Sequence, residues 1–247
     1  MEIEIVNKYV RGNIHLTKVD SEYPDNKLTG AAFEVYKDSN ANGKLDDGDE
    51  LLGTLTEKEK GEYSMNDLFH GRYFVKETKA PEGFVLDTGV SEVMIDTNGK
   101  TYEVENKAGV GFINEAMRGN LKIVKTSSDG KVKGFAFRIT GANGYDIILE
   151  TNDKGEIFID GLRIGDYTIS EVSNSASSMY VLPADKKATV KLGSTTIVEM
   201  HNVLRDTPKT GDTTNLPLLY ALAGLSAVGI AVCGVVGFKK KKKEDRN

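Results

Sequence analysis

Cysteine is almost absent: Cys233 stands alone among 247 residues. No disulfide can form within the chain, so a protein exposed to an oxidising exterior would need some other stabilising device. Basic charge is also short. The formal net charge is −5, and the tail 239–247 holds five Lys and one Arg against one Glu and one Asp, so the rest is more acidic still. That balance argues against nucleic acid or an anionic membrane surface as partner. No phosphate loop, zinc signature or nucleophile motif is present, and His15, His70 and His201 have no ligand or triad spacing, which argues against an enzyme. Met1 is followed by Glu-Ile-Glu-Ile, not by the basic and then apolar stretch of a secretory leader. Outside one apolar run near the C-terminus, no long helical period appears.

That run, residues 216–238, carries no charge and is followed by Lys239 to Lys243. A helix needs about 20 apolar residues to cross a membrane, and the lysines mark the cytoplasmic side. Residues before 207 then lie outside the cell. Just ahead of the run stands Thr207-Pro208-Lys209-Thr210-Gly211. Pro208 imposes a kinked, extended approach, and Gly211 leaves the Thr210–Gly211 bond sterically open. The order of pentapeptide, apolar span and basic tail resembles the Leu-Pro-x-Thr-Gly sorting signal of Gram-positive surface proteins, with Thr207 where Leu is usual. The resemblance implies that a sortase cuts between Thr210 and Gly211 and joins the Thr210 carboxyl to a peptidoglycan amine. The expected parts are a sorting motif and linker over 205–215, a membrane helix over 216–238 in the precursor, and a cytoplasmic tail over 239–247. A wall-anchored protein needs a leader, so the chain is expected to be the C-terminal part of a longer one.

The sequence repeats itself. Arg11-Gly-Asn-Ile-His-Leu-Thr-Lys18 is matched by Arg118-Gly-Asn-Leu-Lys-Ile-Val-Lys125, and Gly71-Arg-Tyr-Phe-Val-Lys-Glu77 by Gly165-Asp-Tyr-Thr-Ile-Ser-Glu171. Similar segments in the same order mean tandem copies of one unit. Short alternating runs broken by turn residues such as Asn98-Gly99 and Asn152-Asp-Lys-Gly155 point to antiparallel β-sandwiches. The spacing predicts an all-β protein with one unit over 11–117 and a second over 118–204. Residues 1–10, with Ile3, Ile5 and Asn7 alternating before Arg11-Gly12, read as the last strand of a truncated preceding repeat.

Side chains two apart on a strand share a face. Ile14, Leu16 and Lys18 share one, as do Leu121, Ile123 and Lys125. Tyr73, Val75 and Glu77 share another, matched by Tyr167, Ile169 and Glu171. Phe112 leads to Asn114, and Val198 and Met200 lead to Asn202. Each unit thus aims one Lys, one Glu and one Asn at its core. Buried charges are costly and shift their pKa. A desolvated Lys becomes a nucleophile, and a buried Glu keeps a proton that it can donate to a carbonyl and shuttle. The Asn carboxamide offers an electrophilic carbon with ammonia as leaving group, and holding the three together makes the reaction internal. The expected product is a Lys–Asn isopeptide bond in each unit: Lys18 with Asn114 under Glu77, and Lys125 with Asn202 under Glu171. Asn106 is an alternative to Asn114, because it follows Tyr102 and Val104 in alternation and its distance from Glu77 is nearer that of Asn202 from Glu171.

Lys18, the segment Lys76-Glu77-Thr78-Lys79-Ala80-Pro81-Glu82-Gly83-Phe84, and Lys125 with Glu171 and Asn202 resemble the Cna-B, or SpaA-type prealbumin-like, domains of Gram-positive adhesins and pilins. Unit two departs from that signature after Glu171, reading Val172-Ser-Asn-Ser. The resemblance covers about residues 11–203. It implies the same Lys, Glu and Asn triads and a structural, non-enzymatic role.

Lys18 and Glu77 lie 59 residues apart, Lys125 and Glu171 46. The excess matches one insertion, Asp38 to Glu50. Within it Asp38, Asn40, Asn42, Gly43, Lys44, Asp46 and Asp49 fall at positions 1, 3, 5, 6, 7, 9 and 12 of an EF-hand loop. Calcium wants six to eight oxygens, and the sixth-position Gly permits the turn. The alternatives are a calcium site or a solvated acidic hairpin, and no cofactor is required by either. The composite expectation is a wall-anchored stalk of an adhesin or pilus-associated subunit. Its partners would be sortase, peptidoglycan and a host or matrix ligand bound further upstream. Two other readings remain: a polymerising pilin, whose Tyr-Pro-Lys motif is approached only by Tyr23-Pro24-Asp25, or the stalk of a surface enzyme whose catalytic domain lies upstream.

Overall fold

Alternation of buried and more exposed side chains shapes the long first strand of each unit. In the computed structural model, which describes residues 9–206, Arg11–Asp20 forms β1 with Ile14, Leu16 and Lys18 turned inward. Arg118–Ser127 repeats this as β10 with Leu121, Ile123 and Lys125 inward. Most of the expected strand over 1–10, the motif Thr207–Gly211, the membrane helix and the basic tail lie outside the described residues.

The first unit continues through β2 (Ala32–Lys37), β3 (Glu50–Thr54), β4 (Thr56–Glu59), β5 (Glu62–Phe69), β6 (Gly71–Lys79), β7 (Val90–Ile95), β8 (Thr101–Glu103) and β9 (Phe112–Asn114). One sheet runs β4-β5-β1-β8, with β9 also on β1, and the other runs β3-β2-β6-β7. After β10, the second unit contains β11 (Ala136–Thr140), β12 (Asp146–Glu150), β13 (Glu156–Arg163), β14 (Gly165–Val172), β15 (Tyr180–Val181), β16 (Lys186–Val190) and β17 (Thr195–Leu204). Its sheets are β13-β10-β17-β15 and β12-β11-β14-β16. Among the described residues the helical structure is a single 3-10 turn, Ala142–Gly144.

Each unit is a two-sheet sandwich with its own core. Ile14, Leu16, Phe33, Val35, Tyr63 and Phe112 fill the first. Leu121, Ile123, Phe137, Ile169, Tyr180 and Met200 fill the second. Burying one such side chain contributes about 1.5–3 kcal/mol, so these cores carry the fold without a disulfide. The repeated Arg-Gly step also has a packing reason. A Cβ on Gly12 would sit 2.9 Å from the Ile95 side chain, and one on Gly119 would collide with the Lys191 carbonyl. Both glycines lie at an irregular register in the first strand.

One strand pairing differs from the antiparallel expectation. Within each unit the first and last strands run parallel: β8 and β9 on β1, and β17 on β10. The other pairs are antiparallel. A parallel pair needs its two strands joined by a long crossover, and here the rest of the sandwich supplies it. The chain therefore enters each unit at one end and leaves at the other.

The length excess of unit one is also distributed differently from the expected single insertion. The β2–β3 loop spans residues 38–49, against 141–145 between β11 and β12. That accounts for seven of the extra residues. Four more precede it, between Lys18 and the end of β2, and two follow before β5.

Candidate functional site

β1 and β9 meet in the register Lys18↔Phe112 and Asp20↔Asn114. β10 and β17 meet as Lys125↔Met200 and Ser127↔Asn202. In both units the Asn thus lies two residues beyond the partner of the Lys. Side-chain alternation then turns both groups to the same inner face. β6 and β14, in the opposite sheet, bring Glu77 and Glu171 across the core. All six side chains are buried: Lys18, Glu77 and Asn202 are 0 % exposed, Lys125 1 %, Asn114 2 % and Glu171 8 %.

In unit one the Lys18 Nζ donates to the Phe112 carbonyl at 2.9 Å. Asn114 Nδ2 donates to Glu77 Oε2 at 2.8 Å and to the Val85 carbonyl at 2.5 Å. In unit two Asn202 Nδ2 donates to Glu171 Oε1 at 2.6 Å. Lys125 Nζ donates to the Thr126 carbonyl and lies 4.1 Å from the centre of the Phe135 ring.

The electrostatics follow from burial. Desolvation pushes the Lys18 ammonium down to about 8, against the opposing pull of Glu77, Asp87 and Asp20. It pushes Lys125 down too, against Glu171 and Asp129. The Glu77 carboxyl is pushed up by burial, partly offset by its bonds from Asn114 and the Asp87 amide. Glu171 is pushed up for the same reason, offset by Asn202 and Lys125. Both changes favour a neutral amine facing a protonated acid.

A second observation points the same way. Among the described residues five buried side-chain oxygens lack a hydrogen-bond partner, and four of them are Glu77 Oε1, Asn114 Oδ1, Glu171 Oε2 and Asn202 Oδ1. Apart from Ser21 Oγ in unit one, the orphan oxygens of each unit are one carboxyl oxygen and the amide oxygen of its own Asn. Two acceptors left bare in a core cost about 1–3 kcal/mol each. A carboxyl proton aimed at the amide oxygen would satisfy that acceptor and draw electrons from the carboxamide carbon.

Asn106 lies elsewhere. It is exposed, donates to Asp87 Oδ2 at 2.7 Å and to the Ile113 carbonyl at 2.9 Å, and accepts from the Ile113 amide at 2.6 Å. Its side chain substitutes for a strand neighbour and clamps the extra loop between β8 and β9. Between the pairs His15↔Glu103 and Lys18↔Phe112, β1 advances three residues and its partner nine. These six additional residues equal the difference between the Glu77–Asn114 and Glu171–Asn202 separations, 37 and 31. Asn114 and Asn202 therefore occupy equivalent positions. A cavity of about 360 Å³, lined by residues including Val85, Asp87, Asn106 and Asn114, opens beside Asn114.

The acidic loop holds itself together. Asp38 accepts from the Asn42 and Gly43 amides, Asp46 from the side chains of Asn40 and Asn42 and from the Gly48 amide, and Asp49 from the Ser39 and Asp46 amides. The Asn42 side-chain oxygen accepts from the Lys44 amide, and Gly43 takes φ +75°. Among the described residues no three His, Cys, Asp or Glu side chains converge as metal ligands.

Sequence reasoning missed two groups. Asp20 is 0 % exposed and shares the inner face of β1 with Lys18, so strict alternation could have found it. Tyr180 donates to Asp129 Oδ1 at 2.7 Å above the Lys125 site, a contact across the fold that no local pattern signals.

A family model described as the SpaA prealbumin-like fold domain matches residues 12–108 and again 119–203. The chain belongs to the SpaA family. Among solved structures, the TIE protein of Bacillus anthracis is similar at 24 % identity and a TM-score of 0.58, covering 78 % of this chain and 34 % of that one. This chain thus spans about a third of that protein's length. The C-terminal fragment of the pilus adhesin SpaC from Lactobacillus rhamnosus GG is similar at 12 % identity (TM-score 0.46, 81 % and 99 % covered). The minor pilin of Streptococcus agalactiae is similar at 19 % identity (0.38, 81 % and 99 %). No curated relative matches. The SpaA-like signature segment after Glu77 has a visible task. Phe84 donates back to the Pro81 carbonyl, Gly83 at φ +83° accepts from the Met117 amide at 2.8 Å, and the Val85 amide donates to Glu115. The segment straps the short linker 115–117 that leads into β10. In unit two, β15 pairs with β17 at the matching place, and Ser177 takes the position of Pro81, accepting from the Tyr180 amide.

Proposed function

We propose that the chain is the load-bearing stalk of a sortase-anchored surface protein, an adhesin or pilus-associated subunit, and that each SpaA domain closes itself with a Lys–Asn isopeptide bond. The carrying observation is the recurrence, in both cores, of one buried amine, one carboxyl with a bare oxygen and one amide with a bare oxygen. In the proposed reaction a proton passes from the Lys ammonium to the Glu carboxylate. The amine lone pair then attacks the Asn Cγ while the Glu proton supports the Oδ1 that takes up charge. That attack forms the new C–N bond, and collapse of the adduct restores the carbonyl, breaks the old C–N bond and releases ammonia, protonated through Glu. No oxidant or cofactor is needed, and Glu is returned unchanged. Beside Asn114 the open cavity gives the ammonia a way out.

The role of the bond is mechanical. β1 and β9 run parallel, so tension applied at the two ends of a domain shears this pair. With Lys18 joined to Asn114, tension passes along β1, across the bond and out through the linker to β10, bypassing residues 19–113. Lys125 and Asn202 would do the same for unit two. The acid-rich exterior, the lack of disulfides and the Thr207–Gly211 motif fit a protein tethered to peptidoglycan by its C-terminus. This role is structural, not enzymatic. Intact-mass spectrometry of the folded protein tests the chemistry. Two losses of ammonia are expected, and Lys18→Ala with Lys125→Ala should abolish both. A wild-type mass equal to that of the sequence would refute it.

A further inference from the structure

The joint between the two domains is built around Arg163, at the end of β13. Its guanidinium meets Asp20 of the first domain in a two-pronged pair, Nη1 to Oδ2 at 2.6 Å and Nη2 to Oδ1 at 2.7 Å. It also donates to Glu22 Oε2 from Nε at 3.0 Å and Nη2 at 2.8 Å. Arg118 pairs with the other Glu22 oxygen, and the Arg163 guanidinium lies 4.9 Å from the Tyr23 ring centre. Asp20 is wholly buried and Arg163 only 15 % exposed, so the pair is screened little by water.

Asp20 is not an ordinary interface residue. It is the register partner of Asn114 and stands two residues beyond Lys18 on the same strand face, so it borders both reacting groups. Apart from Arg163, its hydrogen bonds come from the amides of Glu22 and Tyr23. Removing one partner from a buried charge pair leaves the other uncompensated. An uncompensated carboxylate at this position would hold Lys18 as the ammonium, alongside Glu77 on β6 and Asp87 in the loop beyond it, the other acidic groups that face it. The equivalent position in the second domain supports this account. Ser127 is the register partner of Asn202, so the place of the carboxylate is taken by a neutral residue.

We infer that docking of the second domain through Arg163 licenses cross-linking in the first, by neutralising Asp20 beside the reacting Lys18 and Asn114. Arg163 is a positioning residue here and touches neither reacting atom. The inference rests on the isopeptide reading above. It makes bond formation sequential: the second domain folds and docks, and the first then closes.

The test is time-resolved cell-free synthesis of the full chain, with each cross-linked peptide quantified by mass spectrometry after proteolysis. Arg163→Met keeps the length and apolar stem but removes the charge. It should slow the Lys18–Asn114 bond about tenfold at pH 7, the effect of one pKa unit on the neutral amine, and leave the Lys125–Asn202 bond at its wild-type rate. The deficit should close as the pH is raised towards 9. Adding Asp20→Ser, the residue type of the second domain, should restore the rate at pH 7 without restoring the interface. An Arg163→Met protein that cross-links its first domain at the wild-type rate would overturn the inference. So would a slow Arg163→Met protein that Asp20→Ser fails to rescue. Absence of both bonds from the wild type would instead refute the underlying chemistry.

Discussion

Replacing each lysine by methionine isolates what the proposed bonds contribute to stability. Met is close to Lys in length and carries no charge, so Lys18→Met leaves Asn114 bonded to Glu77 and Val85 and places a thioether near the Phe112 ring. Exchanging a buried charge for an apolar group of similar volume costs or gains about 1 kcal/mol. The lost covalent bond matters more. Lys18 to Asn114 closes a loop of about 100 residues, and Lys125 to Asn202 one of about 80. By the loop-entropy relation used for disulfides, each closure restricts the unfolded chain by about 4.5 kcal/mol. For a domain of this size 1 kcal/mol shifts the melting temperature by about 4–8 °C. Lys18→Met should therefore lower the melting temperature of the first domain by roughly 20–35 °C, and Lys125→Met should do likewise for the second. Scanning calorimetry reads each domain's transition, and intact mass shows about 17 Da regained per variant, one ammonia. If both melting temperatures move by only a few degrees while the mass changes as stated, the bond exists but does not restrain the unfolded chain. The entropic account would then be wrong.

Glu77→Gln should block the bond in the first domain alone and Glu171→Gln in the second alone, each leaving one ammonia loss by mass. Asn114→Ala should abolish the first-domain bond, whereas Asn106→Ala should leave it intact and loosen only the β8–β9 loop, visible as faster amide exchange near Ile113. The Asn114→Ala protein should also show a pH signature. Lys18 titrates near 8 when folded against its ordinary 10.5, so the folded state binds fewer protons between those values. Its penalty is fully present below about pH 8 and is relieved as the pH rises to about 10.5, a gain on the order of 3 kcal/mol. Urea denaturation at pH 7.5 and 10 measures it, and the cross-linked wild type, whose Lys18 would be an amide, should lack this rise. Because Asp38, Asp46 and Asp49 already have amide partners, chelation should leave the melting temperature unchanged. A drop of several degrees would reassign that loop to calcium.

Much of the architecture is legible in the sequence because β-strands have a period of two. Ile14, Leu16 and Lys18 announce their common face without any coordinates, and their recurrence at Leu121, Ile123 and Lys125 doubles the signal. What periodicity cannot supply is direction and register between distant strands. The parallel course of β1 and β9 is fixed by how the sheets close, not by either strand alone. The choice between Asn106 and Asn114 had the same source. Both follow an alternating run, and a clamped loop of six extra residues separates two strands that local pattern treats as rivals. The length excess of unit one shows in the sequence only at the acidic loop, whose composition is distinctive, whereas a few residues added to ordinary turns leave no mark. Arg163 was hidden for a related reason: an arginine ending an alternating strand looks solvated until a second domain is set against it.

The placement of Lys and Asn within their strands carries a further mechanical consequence. Lys18 lies near the exit end of β1, and Asn114 is the last residue of β9, one step from the linker. A bond there leaves nearly all of β1 on the tension path and nearly all of the remaining domain off it. Had the pair stood at the other end, near Arg11 and Thr101, tension would have run through β8, its loop and β9 before reaching the linker. The strand that would remain loaded in the proposed stalk, β1, is central in its sheet, flanked by β5 on one side and by β8 and β9 on the other. The same holds for β10, between β13 and β17. In the proposed stalk the Arg163–Asp20 pair would sit at the junction where tension passes from the first domain to the second.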